Sequence, residues 1–291
     1  MTTRTWLITG VSSGLGRALA EAVLARGERV IGTLRKAGQA EQFAALAPAR
    51  SFACVVDLSE GPRVRAAIGE AIERAGGVDV VVNNAGYGLT GAAEEVSDAE
   101  ARHQMETNFF GALSVAQAAL PYLRRQRRGH IVNISSIAGV VGFGGLPLYC
   151  ASKFALEGLG AALAKELRDL GIQVINVEPG AFRTNWRSAD AIVQAARVID
   201  DYASTVGAQR ERLKDGGGQQ EGDPAKAALA IIPAVDAPKA PLHLPLNPQA
   251  IALLRKTWTA ALAELDEWES VCASTCYNES EPEARTAQAP R

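Results

Sequence analysis

Six short apolar runs recur along the chain, TWLIT, RVIGTL, SFACVV, DVVVN, HIVNIS and QVINVE, and a late candidate, LHLPL, lies near Leu244. They are rich in Val and Ile and do not alternate with polar residues, as expected of strands covered by helices on both faces. Longer segments at helical spacing separate them. Leu156, Leu159, Leu163, Leu167 and Leu170 form one such face and leave Lys165, Glu166 and Arg168 for water. Strand and helix in alternation predict an α/β fold built on a doubly wound parallel sheet. With 291 residues and 47% hydrophobic content the chain can bury one large core, although length alone also permits two domains. No linker divides it, so residues 1–271 read as a single domain with a helical extension after the last strand. Composition shifts after about Phe182, where a polar segment containing KDGGGQQEGDP precedes the last strand, and again after Val271. The first shift, 182–222, is expected to be a substrate lid and the second, 272–291, a polar, flexible tail. Within the lid, AIVQAARVID reads as a helix whose apolar positions Ile192, Val193, Ala196, Ile199 and Tyr202 share a face, with Arg197, Asp200 and Asp201 in water.

Charge and cysteine usage narrow the partners. The formal net charge is -2 and no basic block is long enough to track a phosphate backbone, which argues against nucleic acid. MTTRTWLITG enters a strand at once, so no signal peptide is expected. No run of about twenty uncharged apolar residues follows, so neither is a membrane span. A cytoplasmic protein acting on a small molecule is the expectation, with self-association left open. Cys54, Cys150, Cys272 and Cys276 are scattered in a way that suits neither a disulfide framework nor a zinc site, and no metal is expected.

WLITGVSSGLGRALAEAVLARG joins the first strand to the first helix through Gly10, Gly14 and Gly16. Glycines let backbone approach a phosphate closely, and a helix N-terminus offers unpaired N–H groups and the positive end of a dipole. At the end of the second strand, where an NAD enzyme usually carries a carboxylate for the ribose hydroxyls, the chain has Leu34, Arg35 and Lys36. A planar guanidinium suits a ribose phosphate, which favours NADP(H) over NAD(H). Asp57 with Leu58, and NNAG from Asn83 to Gly86, close the third and fourth strands at the carboxyl ends where open α/β sheets bind ligands.

LYCASKFALEG sets Tyr149 four residues before Lys153, hence on one helix face. Lowering a phenol from about 10 to about 7 takes roughly 4 kcal/mol. One positive charge about 4 Å away, at an effective dielectric of about 20, supplies that much, so the lysine alone would nearly poise Tyr149 for proton transfer near neutral pH. HIVNISSIAGVVG ends the fifth strand with Ser135 and Ser136, and Ser136 lies thirteen residues before Tyr149.

The spacing T-G-x-x-x-G-x-G in TGVSSGLG, followed in order by NNAG, Asn108 in METNFFGA, Ser136, YCASK and PGAFRT, resembles the short-chain dehydrogenases and reductases, from about Thr5 to Thr184. The resemblance implies a Rossmann-type fold and a catalytic tetrad of Asn108, Ser136, Tyr149 and Lys153. It places the cofactor against Gly10, Ser12, Ser13, Gly14, Leu15, Gly16, Arg35, Asp57, Leu58, Asn84, Ala85, Gly86, Tyr149, Lys153, Pro179, Gly180 and Thr184. By the same resemblance Asp57 would contact the adenine, Asn84 and its neighbours would line the adenosine side, and Thr184 would hold the nicotinamide carboxamide. Ser136 would bond the substrate oxygen, Lys153 would hold the nicotinamide ribose, and Asn108 would hold a water-linked proton relay.

The expected activity is NADP(H)-dependent interconversion of a carbonyl and an alcohol by hydride transfer. Nucleotide-sensing regulators on this fold usually lose the tyrosine or lysine; epimerases and dehydratases typically carry a longer C-terminal substrate domain. The residues expected at the substrate, Ser136, Val141, Phe143, Tyr149 and Trp186, together with Tyr87 and Leu146 at the cleft, are mostly apolar and point to a bulky hydrophobic substrate. The wording YCASKFALEG is similar to that of hydroxysteroid and retinol dehydrogenases. His103, His130 and His243 stand apart from every matched motif and are expected to be solvated or packed.

Overall fold

The structure, a computed structural model, describes residues 3–184, 186, 191–215 and 220–276. In chain order the elements are β1 (Thr5–Ile8), α1 (Gly14–Ala25), β2 (Arg29–Leu34), α2 (Gly38–Ala44), β3 (Ser51–Val55), α3 (Gly61–Arg74), β4 (Val80–Asn83), β5 (Gly88–Thr90), α4 (Asp98–Met105), α5 (Gly111–Gln126), β6 (Gly129–Ile134), α6 (Pro147–Glu166), β7 (Ile172–Pro179), β8 (Ile192–Gln194), α7 (Ala208–Asp215), α8 (Pro224–Asp236), β9 (His243–Leu246) and α9 (Pro248–Ala273). Seven strands form one parallel sheet in the order β3-β2-β1-β4-β6-β7-β9. Each of the seven apolar runs became one of them.

The absence of alternation in those runs has its cause in the two layers. In β1, Trp6 and Ile8 pack with α1 and α8, while Leu7 packs on the opposite face with α3 and α5. Val80 and Val82 divide from Val81 in the same way, and Ile175 and Val177 from Val174. Both faces are therefore dry, and neither tolerates a polar register. The exception is a row of amides at matched positions of β4, β6 and β7. Asn83 donates to Asn133 at 3.0 Å, Asn133 donates to Asn176 at 3.0 Å, and Asn176 donates to Glu157 of α6 at 2.7 Å. A buried amide costs free energy unless it is bonded, and a one-residue slip of any of the three strands would orphan this row, so the row specifies register.

The chain winds outward from β1 to β3 on one side and from β4 to β9 on the other. The reversal between β1 and β4 opens a crevice at the carboxyl ends of these strands, beside the glycine turn.

The segment read as the helix AIVQAARVID takes another form. Ile192–Gln194 is the strand β8, paired in parallel with β5, and the following residues have no helical hydrogen bonding until Asp200. Val193 is 41% exposed and Ala196 is exposed too, so the supposed apolar face does not exist. The competing interaction is tertiary: Gly88, Leu89 and Thr90 offer a free strand edge, and β-branched Ile192 and Val193 suit it. Residues 216–219, which include the glycine run, and most of the expected tail lie outside the described residues. The helical extension after β9 is α9, which continues to Ala273, into the segment expected to be tail. No helix among the described residues is long and apolar enough to cross a membrane.

Candidate active site

The glycine turn is built for close approach. Gly10 and Gly14 have φ of +72° and +62°, a region that favours glycine. A Cβ on Gly16 would run into the Asn84 amide and the Gly10 carbonyl. Asn84 is what holds the turn: its backbone N–H donates to Thr9 Oγ1 at 2.8 Å, and its side chain donates to the carbonyls of Thr9 at 2.8 Å and Gly10 at 3.2 Å. Ser13 caps α1 in extended conformation without a side-chain hydrogen bond, and Ser12 and Ser13 are exposed, so the first-turn N–H groups face the crevice. Thr184 lies over the same turn, 3.4 Å from where a Gly14 Cβ would be. Arg35 is exposed at the end of β2. The Asp57 carboxyl sits below its ordinary range: burial acts to raise it, and two bonds from Ser59 outweigh this with help from the positive field of Arg35 and His103. A pyrophosphate fits the unpaired N–H groups at the start of α1, so the residues present fit a nicotinamide dinucleotide.

Four further side chains expected at the chemistry are brought together. Asn108 sits in a π-helical turn, Glu106–Phe110, between α4 and α5. This wide turn aims its amide at Tyr87, accepting from the Tyr87 N–H at 3.0 Å and donating to the Tyr87 carbonyl at 2.9 Å and to Ser152 Oγ at 3.1 Å. Gly86 lies between Asn108 and Lys153; a Cβ there would be 3.1 Å from the Asn108 oxygen and 3.7 Å from Lys153 Nζ. Lys153 is buried and donates to the Ile134 carbonyl at 2.8 Å. Its Nζ lies 5.8 Å from the centroid of the Tyr149 ring. Ser136 lies close enough to the Tyr149 hydroxyl to favour its ionised form, and it caps the short turn after β6, accepting from Ala138 N at 3.1 Å.

The electrostatics differ from the spacing-based expectation. Burial pushes the Tyr149 phenol up to about 12, with Ser136 opposing, and pulls Lys153 down to about 8, with Glu157 opposing. Desolvation of the buried phenol is the largest influence on it and outweighs the attraction of a neighbouring cation. The lysine alone does not poise Tyr149 near neutrality; the site without cofactor holds the proton on Tyr149.

Around the Tyr149 ring is an apolar cluster. Tyr149, Leu146, Cys150, Ala138 and Leu213 form its buried part, with Phe143, Trp186 and Ile192 packed against them. The Trp186 ring lies 5.4 Å from that of Tyr149. Val141 is half-buried and outside this cluster, and the Tyr87 ring turns instead to His103 at 5.6 Å. Pro179 ends β7, and a Cβ on Gly180 would meet Asn247 at 2.6 Å, so close packing fixes that glycine.

The sequence reading missed Ser152, which donates to the Tyr149 carbonyl at 2.8 Å while receiving Asn108. It also missed Glu95, whose fully buried carboxylate accepts from Ala92 N at 2.7 Å, from Ile199 N at 2.8 Å and from Arg210. Ser152 lies inside YCASK between Tyr149 and Lys153, but Glu95 sits in no motif, and Arg210 is 115 residues from it, so only the fold reveals that pair.

A doubly wound parallel sheet with a glycine turn at its switch point and a buried Tyr-Lys pair on the adjoining helix defines a dinucleotide-binding α/β protein. The chain belongs to the short-chain dehydrogenase family, a family of oxidoreductases, whose family model matches residues 4–192. It is similar to Oxidoreductase BOA17 of Botryotinia fuckeliana, with 36% identity over 270 residues covering 92% of this chain and 98% of that one. A protein named 3-ketodihydrosphingosine reductase from Bacteroides thetaiotaomicron is 41% identical over 199 residues, covering 68% of this chain and 71% of that one. Among solved structures, a short-chain dehydrogenase from Streptomyces avermitilis superposes with a TM-score of 0.88 at 42% identity, covering 94% of this chain and 99% of that one.

Proposed function

We propose that the chain is an NADP(H)-dependent oxidoreductase that interconverts a ketone and an alcohol on a bulky, apolar substrate. The observation that carries this reading is the buried Tyr149, near Ser136, one helical turn from Lys153 and packed in an apolar cluster with Leu146, Phe143, Leu213 and Trp186. The bound cofactor supplies the hydride in one direction and accepts it in the other. The chain's own part is placement and proton handling. Ser136 and Tyr149 present two hydroxyls to one substrate oxygen, and with its phenol held up at about 12 Tyr149 keeps a proton at neutral pH, the state a donor to a developing alkoxide requires. Lys153, between the Ile134 carbonyl and the Tyr149 ring, stabilises negative charge on that ring. Asn108, Gly86 and Lys153 lie together, so a proton returning to the tyrosine would pass along this side. Arg35 would select the phosphorylated ribose, and the relative named for a ketone reduction supports the reaction class. A silent nucleotide sensor would not need the Tyr149–Ser136–Lys153 arrangement.

The test is consumption of NADPH, followed by its absorbance, with a panel of aliphatic and polycyclic ketones. Steady turnover is expected with apolar ketones, and Tyr149→Phe should lower it by at least about a hundredfold while leaving cofactor affinity nearly unchanged. Turnover of the Phe variant near the wild-type rate would defeat the assignment.

A further inference from the structure

We propose that α9 is an antiparallel self-association arm, pairing with the α9 of a second copy of this chain through a heptad seam. The helix begins anchored, with Ala250 and Leu254 buried, but from Trp258 to Ala273 every residue is exposed. Fifteen such residues after Trp258 project about 22 Å at 1.5 Å per residue, and isolated helices of that length are marginal in water. The arm is not polar. Beyond the buried Leu254, the residues Trp258, Ala261, Leu265, Trp268 and Cys272 recur at alternating steps of three and four, the spacing of a coiled-coil seam, with Leu262 and Val271 flanking it. Trp258 is 43% exposed, Leu262 62%, Leu265 58% and Trp268 54%. Together these leave on the order of 400–500 Å² of apolar surface per chain, doubled in a pair, close to the lower bound for a specific interface.

Charge along α9 selects the occupant. Its first half carries Arg255 and Lys256, and its second half Glu264, Asp266, Glu267 and Glu269. A parallel copy would set like charges side by side. An antiparallel copy centred near Leu262 brings Arg255 of each chain to Glu269 of the other, twice by symmetry. It also stacks Trp258 on Trp268 and Leu265 on Ala261, leaving Glu264 beside its own copy as the like-charge contact. The net negative charge of the arm disfavours an anionic membrane as the alternative cover.

Sedimentation velocity of the full chain at micromolar concentration tests the proposal. The wild type should sediment one association step larger than Leu265→Glu, with both proteins keeping the same circular dichroism of the core and the same affinity for NADPH. Arg255→Glu should weaken association about tenfold at low salt, and adding Glu269→Arg to it should restore association. A monomeric wild type, a Leu265→Glu variant that sediments like the wild type, failure of the double swap to restore association, or binding of the wild type to anionic phosphatidylserine vesicles in place of self-association would each overturn it.

Discussion

The 191–215 segment, which contributes Ile192 and Leu213 to the apolar cluster around Tyr149, should depend on one buried ion pair. The Glu95 carboxylate is wholly buried, with Arg210 8% exposed, and it holds the segment twice, through the Arg210 guanidinium and the Ile199 N–H at 2.8 Å. Outer fastenings are weaker: Glu100 accepts from Ala196 N at 3.0 Å, and the exposed Tyr202 hydroxyl donates to Glu94 at 3.0 Å. Arg210→Met keeps most of the side-chain volume and leaves the carboxylate buried without its cation, a change that costs about 3–5 kcal/mol in buried pairs. Because Glu95 retains the Ala92 and Ile199 amides, about 3 kcal/mol is expected, or roughly a hundredfold at 1.36 kcal/mol per decade. The loss should be local, because Glu95 and Arg210 both lie outside the strands of the seven-stranded sheet, and it would read as segment opening.

Hydrogen exchange is the assay. Amides from Ile192 to Leu213 should exchange about a hundredfold faster in Arg210→Met, while those near Val132 in β6 stay protected. Glu95→Gln added to Arg210→Met should recover most of the protection, since a neutral amide can stay buried more cheaply. The pH dependence carries its own sign. Burial tends to raise the Glu95 pKa, but the Ala92 and Ile199 amides and Arg210 outweigh it and hold the carboxyl below its ordinary range. Its stabilisation is therefore present above about 4.5 and lost as pH falls through the folded value. Without Arg210 the carboxyl protonates more readily, so the gap between variant and wild type should narrow from pH 7 to pH 5. Unchanged exchange in the segment, or a gap that widens on acidification, would refute the reasoning.

Two other outcomes follow from the same structure. Arg35→Ala should weaken NADPH by about 1.5–3 kcal/mol and leave NADH nearly unaffected, measured by fluorescence titration; equal losses for both would mean that the arginine reads something other than the ribose phosphate. His130 is pulled down to about 4 by burial and by Arg4, so the unfolded chain, with a histidine near 6.5, binds a proton that the folded chain refuses. Stability should fall between about pH 6.5 and 4, by up to about 3 kcal/mol, and the thermal midpoint of His130→Gln should fall less over that range. Glu178, pushed up to about 7 by burial, has the opposite slope, with stability lost as pH rises from about 4.5 to 7, but it is common to both proteins and cancels in the comparison.

Local covalent preference and burial pattern are readable without coordinates, and they determined much of this protein. Val- and Ile-rich runs became the seven parallel strands because both faces of each had to be dry. Gly10 and Gly14 marked positive-φ positions, and Gly16 a point where no Cβ fits. The four-residue step from Tyr149 to Lys153 put both on α6. What the sequence could not decide was anything set by a distant partner or by burial depth. AIVQAARVID had the period of a helix, yet an available edge on β5 made its first part a strand. The Asn83–Asn133–Asn176 row joins three strands whose residues are isolated polar letters in apolar runs, and Glu95 meets Arg210 only in the assembled fold. The sequence placed a cation near Tyr149, but its separation and the depth of the phenol are tertiary quantities. Desolvation grows with burial while Coulomb attraction falls with distance, so the fold alone decided that the tyrosine without cofactor keeps its proton.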